Sequence, residues 1–216
     1  MTAAIRVVVV DSEPRALASI PTLLEDDWGI ICVDTAASAG QAHEQWARAE
    51  RAPADVVLVD LRLPDEDGLT LSLWLTTREP APAVVISVPA PSEELLLPAL
   101  VAGAAGVVTR GCPARTLHAA VRAAAAGAPW QPAVAPAVVR GQGGLLAPED
   151  LPILGMLRHG VPWADIAATL GLEPSGLVAR RWAMLETLTG GQPERAEPRR
   201  ARRGLSAVRT LSPASG

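Results

Sequence analysis

The stretch Val57-Leu58-Val59-Asp60-Leu61-Arg62-Leu63-Pro64-Asp65-Glu66-Asp67-Gly68-Leu69 decides how the chain folds. Its opening residues are apolar at consecutive positions and end on an acid. Strict alternation would leave one face in water. An unbroken apolar run belongs to a strand covered on both faces, as in a parallel sheet under helices. Pro64 and the Asp67-Gly68 pair then interrupt the strand and turn the chain. Asp60 therefore falls at the carboxyl end of a buried strand.

Working outward, Ile5-Arg6-Val7-Val8-Val9-Val10 and Ala83-Val84-Val85-Ile86-Ser87 repeat the pattern. Weaker strands are expected at Ile30-Ile31-Cys32-Val33 and Gly106-Val107-Val108, with helical stretches near 14–26, 38–50, 67–78, 92–102 and 113–127. Five β/α units in about 125 residues predict an α/β fold, a flavodoxin-like, doubly wound sheet of five parallel strands. Spacing does not fix the strand order.

The second half reads differently. Residues 128–145 are rich in Pro, Gly and Ala and read as a linker, with one short helix near 133–139. Helices follow from Pro148 to His159, Pro162 to Leu170 and Pro174 to Leu188, the first two ended by Gly160 and Gly171. Leu177, Met184, Leu185 and Leu188 share one face of the last helix. The expected organisation is a first domain over 1–127, a linker over 128–145, a small all-α domain over 146–190, and an Arg-rich, disordered tail over 191–216 with a short helix around 199–210.

Charge follows that division. Residues 1–135 carry 9 Arg against 16 acids (net −7), residues 136–190 carry 4 against 5 (net −1), and residues 191–216 carry 6 against 2 (net +4). All 19 basic residues are Arg, and Phe and Tyr are absent. No apolar run reaches the roughly 18 residues that span a bilayer, and the start lacks the pattern of a signal peptide. A cytoplasmic protein with no membrane partner is expected. Cys32 and Cys112 have no metal or redox spacing and read as free thiols, while His43, His118 and His159 share no ligand spacing.

In an open α/β sheet, ligands sit beyond the carboxyl ends of the strands. That rule selects Asp11, Asp60, Ser87 and Arg110, each of which follows a strand. Two carboxylates at neighbouring strand ends suit Mg²⁺, which takes few protein ligands and keeps its waters. A hydroxyl and a permanent cation complete the parts needed to place a phosphoryl group on one carboxylate and balance its charge. No second domain shapes a substrate pocket, so an enzyme is not expected.

The stretch around Asp60 resembles the phosphoacceptor segment of bacterial response-regulator receivers, hydrophobics followed by D-x-x-x-P-x-x-D-G. Val10-Asp11-Ser12-Glu13-Pro14 is similar to that family's acidic opening, and Gly103-Ala104-Ala105-Gly106-Val107-Val108-Thr109-Arg110 to its third motif. From Leu146 to Leu188 the chain resembles the LuxR-type helix-turn-helix through Pro148, Leu154, Gly160, Ile166, Ala167, Leu170, Gly171 and Leu177. Together these features resemble a response regulator of the NarL/LuxR type. The resemblance implies a DNA-binding transcription regulator with Asp60 as phosphoacceptor and Asp11, Ser12, Ser87 and Arg110 in its pocket. It also implies Mg²⁺ held by Asp11 and Asp60, a sensor histidine kinase as partner and a homodimer on DNA. The helix 174–188 would enter the major groove with Ser175, Arg180 and Arg181 as contacts.

Several positions depart from the pattern. Ser12 replaces the second of two adjacent acids, and Glu13 has a different strand phase. Arg110 replaces a Lys, which keeps the charge and changes the geometry, and Val107 replaces an aromatic switch residue. Segment 146–190 carries 3 Arg against 5 acids, a poor balance for phosphate attraction that the tail arginines offset. These departures leave open a phosphorylation-independent input, and a pseudo-receiver that pairs with another regulator and binds DNA weakly or not at all.

Overall fold

The computed structural model describes residues 3–49, 54–128, 141–159 and 161–190. Strands β1 (Ile5–Val10), β2 (Ile30–Ala36), β3 (Val56–Asp60), β4 (Ala83–Val88) and β5 (Gly106–Thr109) alternate with helices α1 (Pro14–Glu25), α2 (Ala39–Arg48), α3 (Gly68–Thr76), α4 (Glu93–Val101) and α5 (Ala114–Ala125). All strand pairs are parallel, in the order β2-β1-β3-β4-β5. The order reverses between β1 and β3, so their ends, carrying Asp11 and Asp60, open onto one crevice.

The five-stranded parallel sheet is as the sequence pattern predicts, and most helices begin and end a residue or two inside the expected limits. Strand β2 runs three residues further, to Ala36. It is the edge strand, so Asp34 and Thr35 extend it without the apolar signature of a covered position.

Two apolar clusters cover the sheet. One includes Val7, Val9, Leu58 and Val85 with Leu24, Leu117 and Val121 from α1 and α5. The other joins Val8, Val57, Val59 and Ile86 to Leu71 and Leu73 of α3 and Leu97 of α4. It then continues without a break into the C-terminal helices.

Those helices are α6 (Leu151–Arg158), α7 (Trp163–Leu170) and α8 (Pro174–Leu188), preceded by a 3-10 turn at Pro148–Asp150. The sequence predicts one helix from Pro148. The α-helix starts instead at Leu151, where Pro152 occupies the first turn and no amide hydrogen is needed. Gly171, at φ +61°, ends α7 in the left-handed conformation that its lack of a Cβ allows. Ile153, Leu154, Ile166, Leu177, Met184 and Leu185 are buried in the same cluster as the sheet residues. Each such side chain contributes about 1.5–3 kcal/mol on leaving water. Helix α4 packs on α6 and α8, so the two domains share a core. No described helix is long and apolar enough to cross a membrane. The linker helix near 133–139, Gly160 and the whole tail from 191 lie outside the described residues.

Candidate functional site

Local chemistry shapes the turn after Asp60. Asp67 caps α3 by accepting from the Leu69 amide at 2.7 Å, and burial pushes its carboxyl pKa up. The Gly68 amide donates to the Leu61 carbonyl at 2.8 Å. A Cβ on Gly68 would overlap the Asp60 carbonyl oxygen and come within 2.9 Å of the Leu61 Cα, so only glycine lets the turn close under Asp60. Asp65 reaches across to the first turn of α2, accepting from the Ala39 and Gly40 amides at 3.0 and 2.8 Å. A carboxylate there completes donors that a helix start leaves unpaired. The first and last acids of the Asp65-Glu66-Asp67 run thus hold the loop.

The structure brings Asp11, Asp60, Ser87 and Arg110 together at the carboxyl ends of β1, β3, β4 and β5. Asp11 and Asp60 are each 2% exposed and Ser87 is 4% exposed. Ser87 lies in direct register with Asp60. Asp11 accepts from the Glu13 amide at 2.8 Å. Burial pushes the Asp11 carboxyl above its usual range; the Glu13 amide works against that, the Asp60 charge adds to it, and Arg110 offsets part.

The guanidinium of Arg110 dominates this cluster. Its Nη2 lies 2.5 Å from Asp60 Oδ1 and 3.6 Å from Asp11 Oδ2, and its Nη1 donates to Glu13 Oε2 at 3.1 Å. The contact with Asp60 is a close ion pair without an aligned N–H, and Nε is buried with no acceptor among the described residues. Contact with Asp60 raises the Arg110 pKa first, and the Asp11 charge adds to the effect. Glu13, out of phase by strand counting, joins the site by reaching Arg110 from the start of α1. Ser12 turns away, its Oγ donating to the Arg62 carbonyl at 3.3 Å.

Receiver domains commonly bind Mg²⁺ at this place. The residues present do not fit it in this arrangement. The cationic partner of Asp60, Asp11 and Glu13 is a guanidinium, and Ser12 adds no further carboxylate. No group of three or more His, Cys, Asp or Glu side chains able to hold a metal occurs among the described residues.

The expected DNA contacts are dispersed. Ser175 is exposed near the start of α8. Arg180 is half-buried, its Nη1 donating to Asp150 Oδ1 at 2.8 Å and to the Glu149 carbonyl at 3.2 Å. Arg181 requires a correction: it is 2% exposed and points into the domain interface, not toward a groove. Its Nη2 donates to Thr76 Oγ1 at 2.8 Å, its Nε to the Val101 carbonyl at 3.3 Å, and its guanidinium lies 3.8 Å from the centre of the Trp163 ring. Gly103, at φ +81°, makes room: a Cβ there would meet Arg181 Nη2 at 2.5 Å and Thr76 Oγ1 at 2.8 Å. Burial pushes the Arg181 pKa down to about 9, so the group is still a cation at neutral pH. The reason lies in the helix period. Arg181 follows Leu177 by four residues and precedes Met184 and Leu185 by three and four, on the apolar face of α8. That spacing was the available signal. The exposed positions of α8 (Ser175, Gly176, Ala179, Ala183, Glu186 and Thr187 among them) include no basic residue.

A five-stranded parallel receiver sheet with an acidic strand-end pocket, docked on a helix-turn-helix unit, defines a signalling protein of two-domain design. Comparison with known proteins agrees: the response regulator receiver domain family matches residues 7–122. The chain belongs to that family. It is 28% identical over 220 residues to the response regulator UvrY of Escherichia coli O6:H1, covering 96% of this chain and 99% of that protein. It is 32% identical over 123 residues to the DNA-binding transcriptional activator DevR/DosR of Mycobacterium tuberculosis, covering 57% of this chain and 55% of that protein's length. In fold it resembles the RcsB response regulator of Salmonella typhimurium, with a TM-score of 0.55, 19% identity, and coverage of 87% of this chain and 93% of that one.

Proposed function

We propose that this protein is a DNA-binding transcription regulator of the two-component response-regulator type, cytoplasmic and not an enzyme. The observation that carries this reading is the continuous core joining a receiver to α7, the Gly171 turn and α8. It is supported by the resemblance to UvrY over 96% of the chain. Asp60 is the input carboxylate. Phosphoryl transfer from a sensor histidine kinase and a phosphorylation-independent signal are the two routes into that site, and Arg110 decides between them. Output runs through α8, with Ser175 at its exposed start and Arg180 beside it. Contact through Arg181 would require the domains to separate. The protein works as a homodimer, so that two copies of α8 meet two half-sites.

The domain over 146–190 is net negative, so the six arginines of residues 191–216 supply most of the attraction to phosphate. Binding of the full chain to DNA upstream of its own gene, followed by fluorescence anisotropy across a salt series, tests the proposal. Saturable, salt-dependent binding is expected. Removing residues 191–216 should weaken it by about tenfold or more and flatten the salt slope. Complete lack of DNA affinity at low salt would sink the reading.

A further inference from the structure

We propose that Arg110 is the resident cation of the receiver pocket and that, while its guanidinium lies on Asp60, the pocket takes no divalent metal. The inference rests on reading the strand-end cluster as the receiver's input site. It goes further by assigning what fills that site and what it rejects.

Three observations carry it. The first is position: one guanidinium touches all three carboxylates, at 2.5 Å (Asp60), 3.1 Å (Glu13) and 3.6 Å (Asp11). A metal held by Asp11 and Asp60 would compete with Nη2, which already lies between the same two carboxylates. Two cations cannot share that position without strong repulsion in a poorly solvated site. The second is ligand supply. Magnesium needs carboxylates backed by room for its waters, and Ser12 offers only a hydroxyl, so Asp11 and Asp60 alone would have to draw a metal in against the guanidinium. A cleft of about 230 Å³ opens beside Arg110, but its floor is Leu58, Val108 and Leu117, and Glu13 is its one carboxylate. The third is chemistry: a guanidinium is a permanent, weakly hydrated cation with several donors in a fixed plane, suited to serving more than one carboxylate at once. An ammonium would meet them as a point charge.

The consequence is a receiver whose charge balance is internal. Any signal acting on Asp60 must first displace Arg110, so metal-assisted phosphoryl loading has to wait for whatever moves that guanidinium.

Manganese, which substitutes for magnesium and is read by electron paramagnetic resonance, tests this on the full-length protein. Wild type should show no saturable site that depends on Asp60. Arg110→Gln should gain one, bound at least about tenfold more tightly than anything in wild type, and Arg110→Gln/Asp60→Asn should lose it. Should Arg110→Gln fail to fold, Arg110→Lys, which keeps the charge on a smaller head, is expected to gain a weaker site by the same route. A manganese site in wild type that disappears in Asp60→Asn overturns the proposal. So does a folded Arg110 variant that gains no site, because Arg110 would then not be what excludes the metal. Neither result bears on DNA binding, so this inference and the proposed function can fail separately.

Discussion

Two guanidinium groups among the described residues, the partly exposed one of Arg110 and the buried one of Arg181, are balanced in opposite ways. At the strand ends Arg110 is surrounded by three carboxylates. At the domain interface Arg181 meets no carboxylate among its described contacts; a backbone carbonyl, a threonine hydroxyl and the face of Trp163 receive it instead. The first cation is held by charge and gains proton affinity from Asp60. The second is held by shape and hydrogen bonding and loses proton affinity to burial. Both depend on a glycine, Gly68 beneath Asp60 and Gly103 beside Arg181. Charge compensation fixes the receiver site, whereas packing fixes the interface.

The largest effect expected from breaking either side is at Gly68. Gly68→Ala drives a Cβ into the Asp60 backbone, and backbone yields far less readily than a side chain. A loss of about 3 kcal/mol or more in urea unfolding is expected, together with a shifted Asp60. Gly103→Ala should cost somewhat less, about 2 kcal/mol, because the atoms it meets belong to side chains and the rest of the cost is the positive φ. Its loss should fall on domain docking, seen as faster proteolysis between residues 128 and 146 and an increased radius by small-angle scattering.

The arginines themselves sharpen the contrast. Arg110→Gln strands Asp11 and Asp60 side by side without their cation, a loss of about 1–3 kcal/mol at neutral pH. Asp11 already has a raised folded pKa, owing first to burial. A carboxyl whose pKa rises on folding favours the folded state in its protonated form, and that advantage disappears as pH climbs through the folded value. The variant should therefore recover as pH falls into the acid range, and equal losses at pH 5 and pH 8 would contradict this account. Arg181→Met should be nearly neutral, within about 1 kcal/mol, since a buried cation lacking a carboxylate is readily replaced by an apolar side chain of similar length.

The smallest effect is a pH trend at Arg181. Its folded pKa, about 9, lies below that of the unfolded chain. Above pH 9 the folded state sheds the proton while the unfolded chain keeps it, so wild type gains stability as pH rises. Any advantage of Arg181→Met at pH 7 should shrink by pH 10 in paired thermal melts.

The same contrast explains what the sequence revealed. The sheet was legible because Val7 to Val10, Val56 to Val59 and Val84 to Ile86 are covered on both faces, and coverage writes itself as an unbroken apolar run. Asp11, Asp60, Ser87 and Arg110 could be selected because strand ends converge in any such sheet. What Arg110 does there was not legible, since a long side chain chooses among carboxylates only in three dimensions. The role of Glu13 is hidden for a related reason: strand phase says nothing about a residue that caps the following helix. At Arg181 the helix period outweighs the chemistry of the side chain. Three apolar neighbours on its own helix face marked the position as buried, and an arginine can occupy such a position when a glycine opposite, here Gly103, leaves space.

The stacking of Arg181 on Trp163 also gives the molecule an optical signature. With no Tyr or Phe in the chain, near-ultraviolet emission arises from its six Trp residues alone. One of those indoles lies beneath a fixed positive charge, whose field displaces the emission wavelength of that ring. Arg181 and Trp163 both belong to the helical domain, so separating the domains would leave the pair stacked while water reaches the guanidinium that Thr76 and Val101 now cover, and the Trp163 emission would shift with that change in its surroundings.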